Sequence, residues 1–88
     1  MPGFILQMRP RGDTDPAIRI GYTVTKKVGN AVVRNRLKRR LRALARAALP
    51  TGGMPGADHV LIGRSAGIDR PFADLARDLD KALAKLKR

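Results

Sequence analysis

Residues 24–42 read VTKKVGNAVVRNRLKRRLR, and this stretch decides how the rest of the chain is organised. It opens as the end of a strand, is broken at Gly29, and continues as a helix. Asn30 is placed to cap that helix, because its side chain can accept hydrogen bonds from the free amides of the first turn. Apolar residues then recur every three or four positions, which predicts an amphipathic helix over residues 31–49. The apolar stripe consists of Val33, Leu37, Leu41, Leu44 and Ala48.

The same stretch concentrates the positive charge of the chain. Nine of the 19 lysines and arginines, and none of the seven acids, lie between Lys26 and Arg46. A solvated helix usually mixes acids and bases and gains ion pairs four residues apart, whereas a helix without acids has only like-charge repulsion. A polyanion relieves that repulsion, and arginine suits bidentate contact with phosphate. We therefore expect a nucleic-acid backbone to bind this helix.

Composition narrows the class of protein. Eighty-eight residues form one domain, and the net charge of +12 favours RNA, DNA or anionic lipid as a partner. The absence of cysteine excludes disulfides and thiolate metal sites. No apolar run approaches the roughly 18 residues of a membrane span, and the N-terminus lacks a signal-peptide pattern. These features predict a soluble, cytoplasmic protein with no membrane partner.

The flanking segments predict a small sheet and a second helix. Alternation of apolar and polar residues over residues 4–9 and 18–25 predicts two strands that form an antiparallel hairpin. Pro50 is expected to end the basic helix, and the apolar run at residues 59–63 predicts a third, buried strand. The order β-β-α-β-α indicates a two-layer α/β sandwich with a small mixed sheet. The last helix has the predicted core stripe Phe72, Leu75, Leu79, Leu83 and Leu86.

Few residues suit catalysis by the protein alone. The chain has no glutamate or cysteine, and its one histidine, His59, opens a strand, where we expect packing or hydrogen bonding. Asp74 and Asp78 have helical spacing, but we interpret them as residues that aid helix solubility and complement the helix dipole. The sequence therefore predicts no catalytic residue and no metal-ligand set.

Two further groups of residues suit nucleic-acid binding. The strand-to-helix junction offers free backbone amides and the positive end of the helix dipole. Either this junction binds a phosphate, or it is only a turn followed by a helix cap. Arg19, Thr23 and Thr25 share the face of their strand that points away from the core. Either these side chains line a nucleic-acid groove, or the threonines are present only because β-branched residues favour strands. The residues predicted to bind RNA at the junction and on the helix are Lys26, Lys27, Asn30, Arg34, Arg36, Lys38, Arg39, Arg40, Arg42 and Arg46.

Residues 24–42, with the Lys-Lys-Val-Gly-Asn-Ala-Val junction and the Arg-Asn-Arg core, resemble the signature of the bacterial ribonuclease P protein subunit. The order of the flanking elements agrees over roughly the whole chain. The resemblance implies that the basic helix connects two parallel strands by a left-handed crossover, an exception to the usual right-handed rule. It also implies a protein cofactor of a ribozyme: the catalytic RNA, with Mg²⁺, removes the 5′ leader of precursor tRNA. No activity of the protein alone, no dedicated protein metal site and no further protein partner are then expected.

The resemblance also assigns roles to residues. It implies a cleft for the single-stranded leader faced by Thr23, Thr25 and Lys27, to which we add Arg19 from the same strand face. The residues that it implies contact the catalytic RNA and nearby metal-bound phosphate are Arg34, Asn35, Arg36, Lys38, Arg39, Arg40 and Arg42.

The chain departs from the family pattern in two places. Nothing before Phe4 can supply the usual N-terminal helix with its pair of phenylalanines, so we expect residues 1–88 to form the family domain without it. Gln7 stands where some relatives carry tyrosine, which predicts weaker stacking on the leader. Two alternatives use the same helix differently: a ribosomal or general RNA-chaperone protein, and a membrane-surface helix, which the lack of interfacial aromatics disfavours.

Overall fold

The computed structural model describes residues 2–86. Their order of elements is the predicted strand, strand, helix, strand, helix, and the mixed α/β sandwich of two layers is confirmed. Short 3-10 turns follow the second and third strands. The elements are β1 (Phe4–Pro10), β2 (Arg19–Thr23), α1 (Ala31–Gly52), β3 (Ala57–Gly63) and α2 (Phe72–Leu86).

The sheet has the strand order β1-β3-β2, so that β3 is central. β1 is antiparallel to β3, with Phe4 opposite Gly63, and β2 is parallel to β3, with Thr23 opposite Ile62. The predicted β1–β2 hairpin is therefore wrong, because β3 lies between the two strands. Alternation fixes the face on which a side chain lies, but it does not fix which strand is the neighbour. The parallel pairing of the strands joined by α1 is confirmed, and the hand of the crossover stays a prediction.

The core lies between one face of the sheet and both helices. The fully buried side chains of Phe4 and Leu61 come from the sheet, and most core leucines of α1 and α2 lie in the predicted stripes. Leu49 is buried although it lies outside its stripe, and Leu86, which was predicted as a core residue, is only half-buried. Burying one such side chain contributes about 1.5–3 kcal/mol, so these few residues supply most of the hydrophobic stabilisation. The core leucines of the helices are Leu37, Leu41, Leu44, Leu49, Leu75, Leu79 and Leu83.

Two helix ends differ from the prediction. α1 continues through Pro50 to Gly52, and the backbone N–H of Gly53 donates to the carbonyl of Leu49 at 2.9 Å. A proline this close to a C-terminus removes a single helical hydrogen bond, so the last turn persists. Phe72 is 44% exposed and is not a core residue, because the first turn of α2 extends beyond the core and Leu75 is its first buried residue.

The connection between β1 and β2 is held by Arg11. Its guanidinium donates to the carboxylates of Asp13 and Asp58, both at 3.2 Å, and to the carbonyls of Asp15 and Ala17 at 2.9 and 2.7 Å. The side chain is only 7% exposed, and its rigid fork of donors suits several acceptors at once. Arg11 thus fixes the loop that leads into β2.

Candidate nucleic-acid interface

The N-terminus of α1 is capped as predicted. The side-chain oxygen of Asn30 accepts a hydrogen bond from the backbone N–H of Val33 at 3.0 Å. The preceding 3-10 turn, Lys26–Val28, carries two exposed lysines. Because the positive end of the helix dipole points at this turn, Lys26, Lys27 and the first amides of α1 form one electropositive region. The cap is confirmed, and phosphate binding at the junction stays a prediction.

The side of α1 opposite the core presents exposed cations. Its core residues occupy one stripe, so side chains on the opposite side project away from the sheet. Val32, which is 78% exposed, lies with Asn35, Arg36 and Arg39 around a depression of about 420 Å³. We call the exposed polar residues of this side and of the adjoining flank the basic face: Asn35, Arg36 and Arg39 on the side opposite the core, and Arg42 and Arg46 on the flank next to β2.

Arg40 is held by the protein itself. Its guanidinium donates to the backbone carbonyl of Arg70, and Arg70 in turn binds the carboxylate of Asp78 through its Nε atom at 2.7 Å. The hydrogen bond that Arg70 donates to Asp78 raises the pKa of its guanidinium. Arg40 therefore ties α1 to the turn before α2, and its predicted contact with RNA stays a prediction. Arg34 and Lys38 are also only half-exposed.

The two aspartates of α2 have different roles. Asp74 pairs with Arg77 on the surface, which agrees with the predicted role in solubility. Asp78 is only 8% exposed and engages Arg70, so a purely solubilising role is wrong for this residue. A carboxylate this buried requires a partner, because desolvation of an unpaired charge is costly.

The face of the sheet opposite the helices carries the residues predicted to bind the leader. We call it the open face, because the core leucines of α1 and α2 pack against the other face of the sheet. Arg19 and Thr23 are exposed there, opposite Asp58 and Ile62 of β3, and roughly 13 Å of strand separates them. Thr23 therefore lies near Thr25 and Lys27 at the carboxyl end of β2, whereas Arg19 lies at the other end, 3.8 Å from Asp15. The open face consists of Ile5, Gln7, Arg9, Arg19, Gly21, Thr23, Asp58, Val60 and Ile62.

Arg64 is a candidate that the sequence reasoning missed. It is exposed and follows β3 directly. β2 and β3 are parallel with Thr23 opposite Ile62, and continuing this register by two residues would bring Arg64 beside Thr25. The carboxyl ends of parallel strands meet at one edge of a sheet, where ligands commonly bind. The sequence does show a cation immediately after a buried strand. The predicted hairpin, however, did not make β2 and β3 neighbours, so Arg64 was not expected near the residues that follow β2.

His59 has the hydrogen-bonding role that was predicted for it. It is 1% exposed, its Nε2 atom accepts from the backbone N–H of Met54 at 3.1 Å, and its Nδ1 atom lies 3.2 Å from the carbonyl of Arg19. These partners require a neutral ring with the proton on Nδ1. Both ring nitrogens are therefore occupied in joining β2 to the loop that precedes β3.

Residues 2–86 contain neither a cluster of metal-binding side chains nor a membrane-spanning helix. No group of three or more His, Cys, Asp or Glu side chains in this part of the chain could hold a metal ion. Neither helix in the same range is long and apolar enough to cross a membrane.

Comparisons with known proteins agree with one another. The family model described as Ribonuclease P matches residues 1–87. The ribonuclease P protein component of Gluconacetobacter diazotrophicus is 55% identical, over 96% of this chain and 72% of that protein. The corresponding protein of Ruegeria pomeroyi is 57% identical, over 89% of this chain and 62% of that protein.

The fold is similar to solved structures of the same kind. The ribonuclease P protein of Staphylococcus aureus superposes with a TM-score of 0.77 at 26% identity, over 99% of this chain and 77% of that one. The ribonuclease P protein of Thermotoga maritima gives a TM-score of 0.78 at 31% identity, over 94% and 76%.

Proposed function

Because the chain belongs to the ribonuclease P protein family, a family of protein cofactors in tRNA 5′ maturation, we propose that its basic face binds the catalytic RNA. The observation that carries this proposal is the exposure of Arg36, Arg39, Arg42 and Arg46 on a helix without a single acid. Such a surface binds a phosphate backbone with release of counterions. Lys26, Lys27 and the first amides of α1 extend it at one end.

The leader of precursor tRNA would bind at the open face and at the carboxyl ends of β2 and β3. Thr23, Thr25, Lys27 and Arg64 provide hydroxyl and cationic groups there. The absent side chain of Gly21 leaves open space in the middle of β2, since a Cβ at this position would meet nothing within 4 Å. Single-stranded RNA can therefore approach the backbone closely, with contacts mostly to phosphate and sugar.

Catalysis would come from the RNA subunit, with Mg²⁺ held by RNA phosphates. Several groups that might act on a phosphodiester are already engaged: both nitrogens of His59 are hydrogen bonded, Asp78 pairs with Arg70, and Asp58 pairs with Arg11. The protein would lower the repulsion between leader and catalytic RNA, two polyanions, and so reduce the Mg²⁺ needed for productive docking. This role places the protein in the cytoplasm with its RNA partners.

The test is cleavage of a leader-bearing precursor tRNA at low Mg²⁺ by a bacterial ribonuclease P RNA, with and without the 88-residue chain. The chain alone is the third arm. We expect cleavage to be stimulated only when both RNA and protein are present. Tight binding to the RNA without stimulation would refute the role of the open face. Equal binding to unrelated RNAs, with co-sedimentation on ribosomes, would instead favour a ribosomal or RNA-chaperone protein.

A further inference from the structure

An apolar cleft opens between β2 and the C-terminal half of α1. Its volume is about 250 Å³, below the roughly 300 Å³ at which pockets for drug-sized ligands begin. The cleft is on the helix side of β2, away from the open face and its leader residues. Its walls are formed mainly by Ile18, Ile20 and Tyr22 before and within the strand, and by Ala45, Arg46 and Leu49 of α1.

The rim of the cleft is positively charged. The guanidinium of Arg42 lies over the ring of Tyr22, 5.8 Å from its centroid, and Arg46 contributes directly to the wall. Burial raises the pKa of the Tyr22 hydroxyl, while the charges of Arg42 and Arg46 oppose that rise. The interior is apolar, one arginine lies in its wall, a second covers Tyr22, and no acid is present among the lining residues that the structure describes. Such a site matches a planar apolar group attached to an anion.

We infer that this cleft accepts one unpaired nucleobase of the RNA that binds the basic face. The base would stack against the Arg42–Tyr22 pair, and its flanking phosphates would bind Arg42 and Arg46. Both arginines belong to the basic face, so the cleft is continuous with the surface assigned to the catalytic RNA. The inference rests on the proposed RNA binding and adds to it a preference for unpaired nucleotides.

Tyr22 provides a direct reporter, because it is the only tyrosine and the chain has no tryptophan. The probes are an RNA hairpin with a single bulged adenosine and the same hairpin fully paired. Tyrosine emission is recorded during each titration, and affinity is measured separately from the anisotropy of a dye on the RNA. We expect both hairpins to bind, but only the bulged one to quench Tyr22 and to bind about tenfold more tightly.

Three variants locate the preference. Tyr22→Ala is expected to remove the preference for the bulged hairpin while retaining affinity for the paired one. Tyr22→Phe keeps the ring and should keep the preference, which tests the inference even if the alanine variant does not fold. Phe72→Ala is the matched control, since Phe72 is an exposed aromatic residue on α2, outside the cleft.

The outcomes separate this inference from the proposed function. Equal affinity for the two hairpins, or a preference that survives in a folded Tyr22→Ala variant, would overturn the inference and leave RNA binding by the basic face intact. Failure of the native chain to bind either hairpin or a ribonuclease P RNA would overturn both.

Discussion

Replacing Arg36 and Arg40 separately with alanine should distinguish phosphate binding from structural support on α1. Arg36 is exposed on the basic face, whereas Arg40 donates to the carbonyl of Arg70. Arg36→Ala should reduce the slope of log affinity against log salt by about 0.7–1, the contribution of one phosphate contact. At a fixed salt concentration, Arg36→Ala should lose on the order of 1 kcal/mol of binding free energy for the RNA. Arg40→Ala should leave the slope unchanged and lower the thermal stability of the protein.

The magnitude follows from the number of exposed arginines. Arg36, Arg39, Arg42 and Arg46 are exposed on the basic face. If each neutralises one phosphate, this face alone gives a slope of roughly −3 to −4. Loss of one arginine therefore removes about a quarter of the salt dependence of this surface, which an accurate titration resolves.

The assay is equilibrium binding to a ribonuclease P RNA over a series of monovalent salt concentrations at constant Mg²⁺, with thermal melts of each variant. Arg39→Ala serves as a second exposed variant and should match Arg36→Ala. An unchanged slope for Arg36→Ala would refute phosphate contact at that position. A slope reduced equally by Arg40→Ala would show that Arg40 leaves Arg70 to bind RNA.

Three further predictions concern stability and ionisation. Asn30→Ala should lower the free energy of unfolding by about 1 kcal/mol in a denaturant titration, because it removes the cap of α1. Asn30→Ser should recover most of this free energy, since serine also caps helices. Equal stability of the native protein and both variants would contradict the cap. Asp78→Asn should lower the midpoint of thermal unfolding more than Asp74→Asn, because the ion pair of Asp78 is buried and that of Asp74 lies on the surface. Equal shifts of the midpoint would contradict the structural role of the Asp78 ion pair. The pKa of Tyr22, measured by ultraviolet absorbance in an alkaline titration, should lie above that of free tyrosine because the side chain is partly buried. Arg42→Ala should raise this pKa further, because it removes a positive charge that favours the ionised hydroxyl. A midpoint at or below the pKa of free tyrosine would contradict the burial of Tyr22. Because the pKa of Tyr22 is higher in the folded protein than in the unfolded chain, its neutral hydroxyl stabilises the fold. This stabilisation is fully present below the pKa of the unfolded chain and is lost as the pH rises through the pKa of the folded protein.

The parts of the fold that depend on local pattern were predictable. The stripe of α1, its cap at Asn30 and the two faces of each strand all follow from the period of the side chains. The pairing of β1 with β3 could not be predicted in this way, because it joins residues far apart in sequence. Phe72 has the spacing of a core residue, yet only the packed position of α2 reveals that its first turn extends beyond the core.

The candidate site was predictable to a similar extent. Charge density located the basic helix, because a run of cations without acids is visible in sequence alone. The partner of Arg40 lies 30 residues away in the turn before α2, so periodicity on one helix could not indicate that this arginine is engaged. Arg64 likewise becomes a candidate only when the parallel register of β2 and β3 is known.

The parallel pairing also explains how one thin domain could contact two RNA segments. Because α1 follows β2 and leads into the parallel strand β3, its N-terminus starts near the edge where both strands end. Thr25, Lys27 and Asn30 follow β2 at this edge, and Arg64 follows β3 at the same edge, where the basic face begins and the open face ends. In an antiparallel β2–β3 pair, Arg64 would lie at the opposite edge. The topology thus allows RNA on the helix layer and a single strand on the sheet to meet at one electropositive edge, which a basic helix alone would not provide.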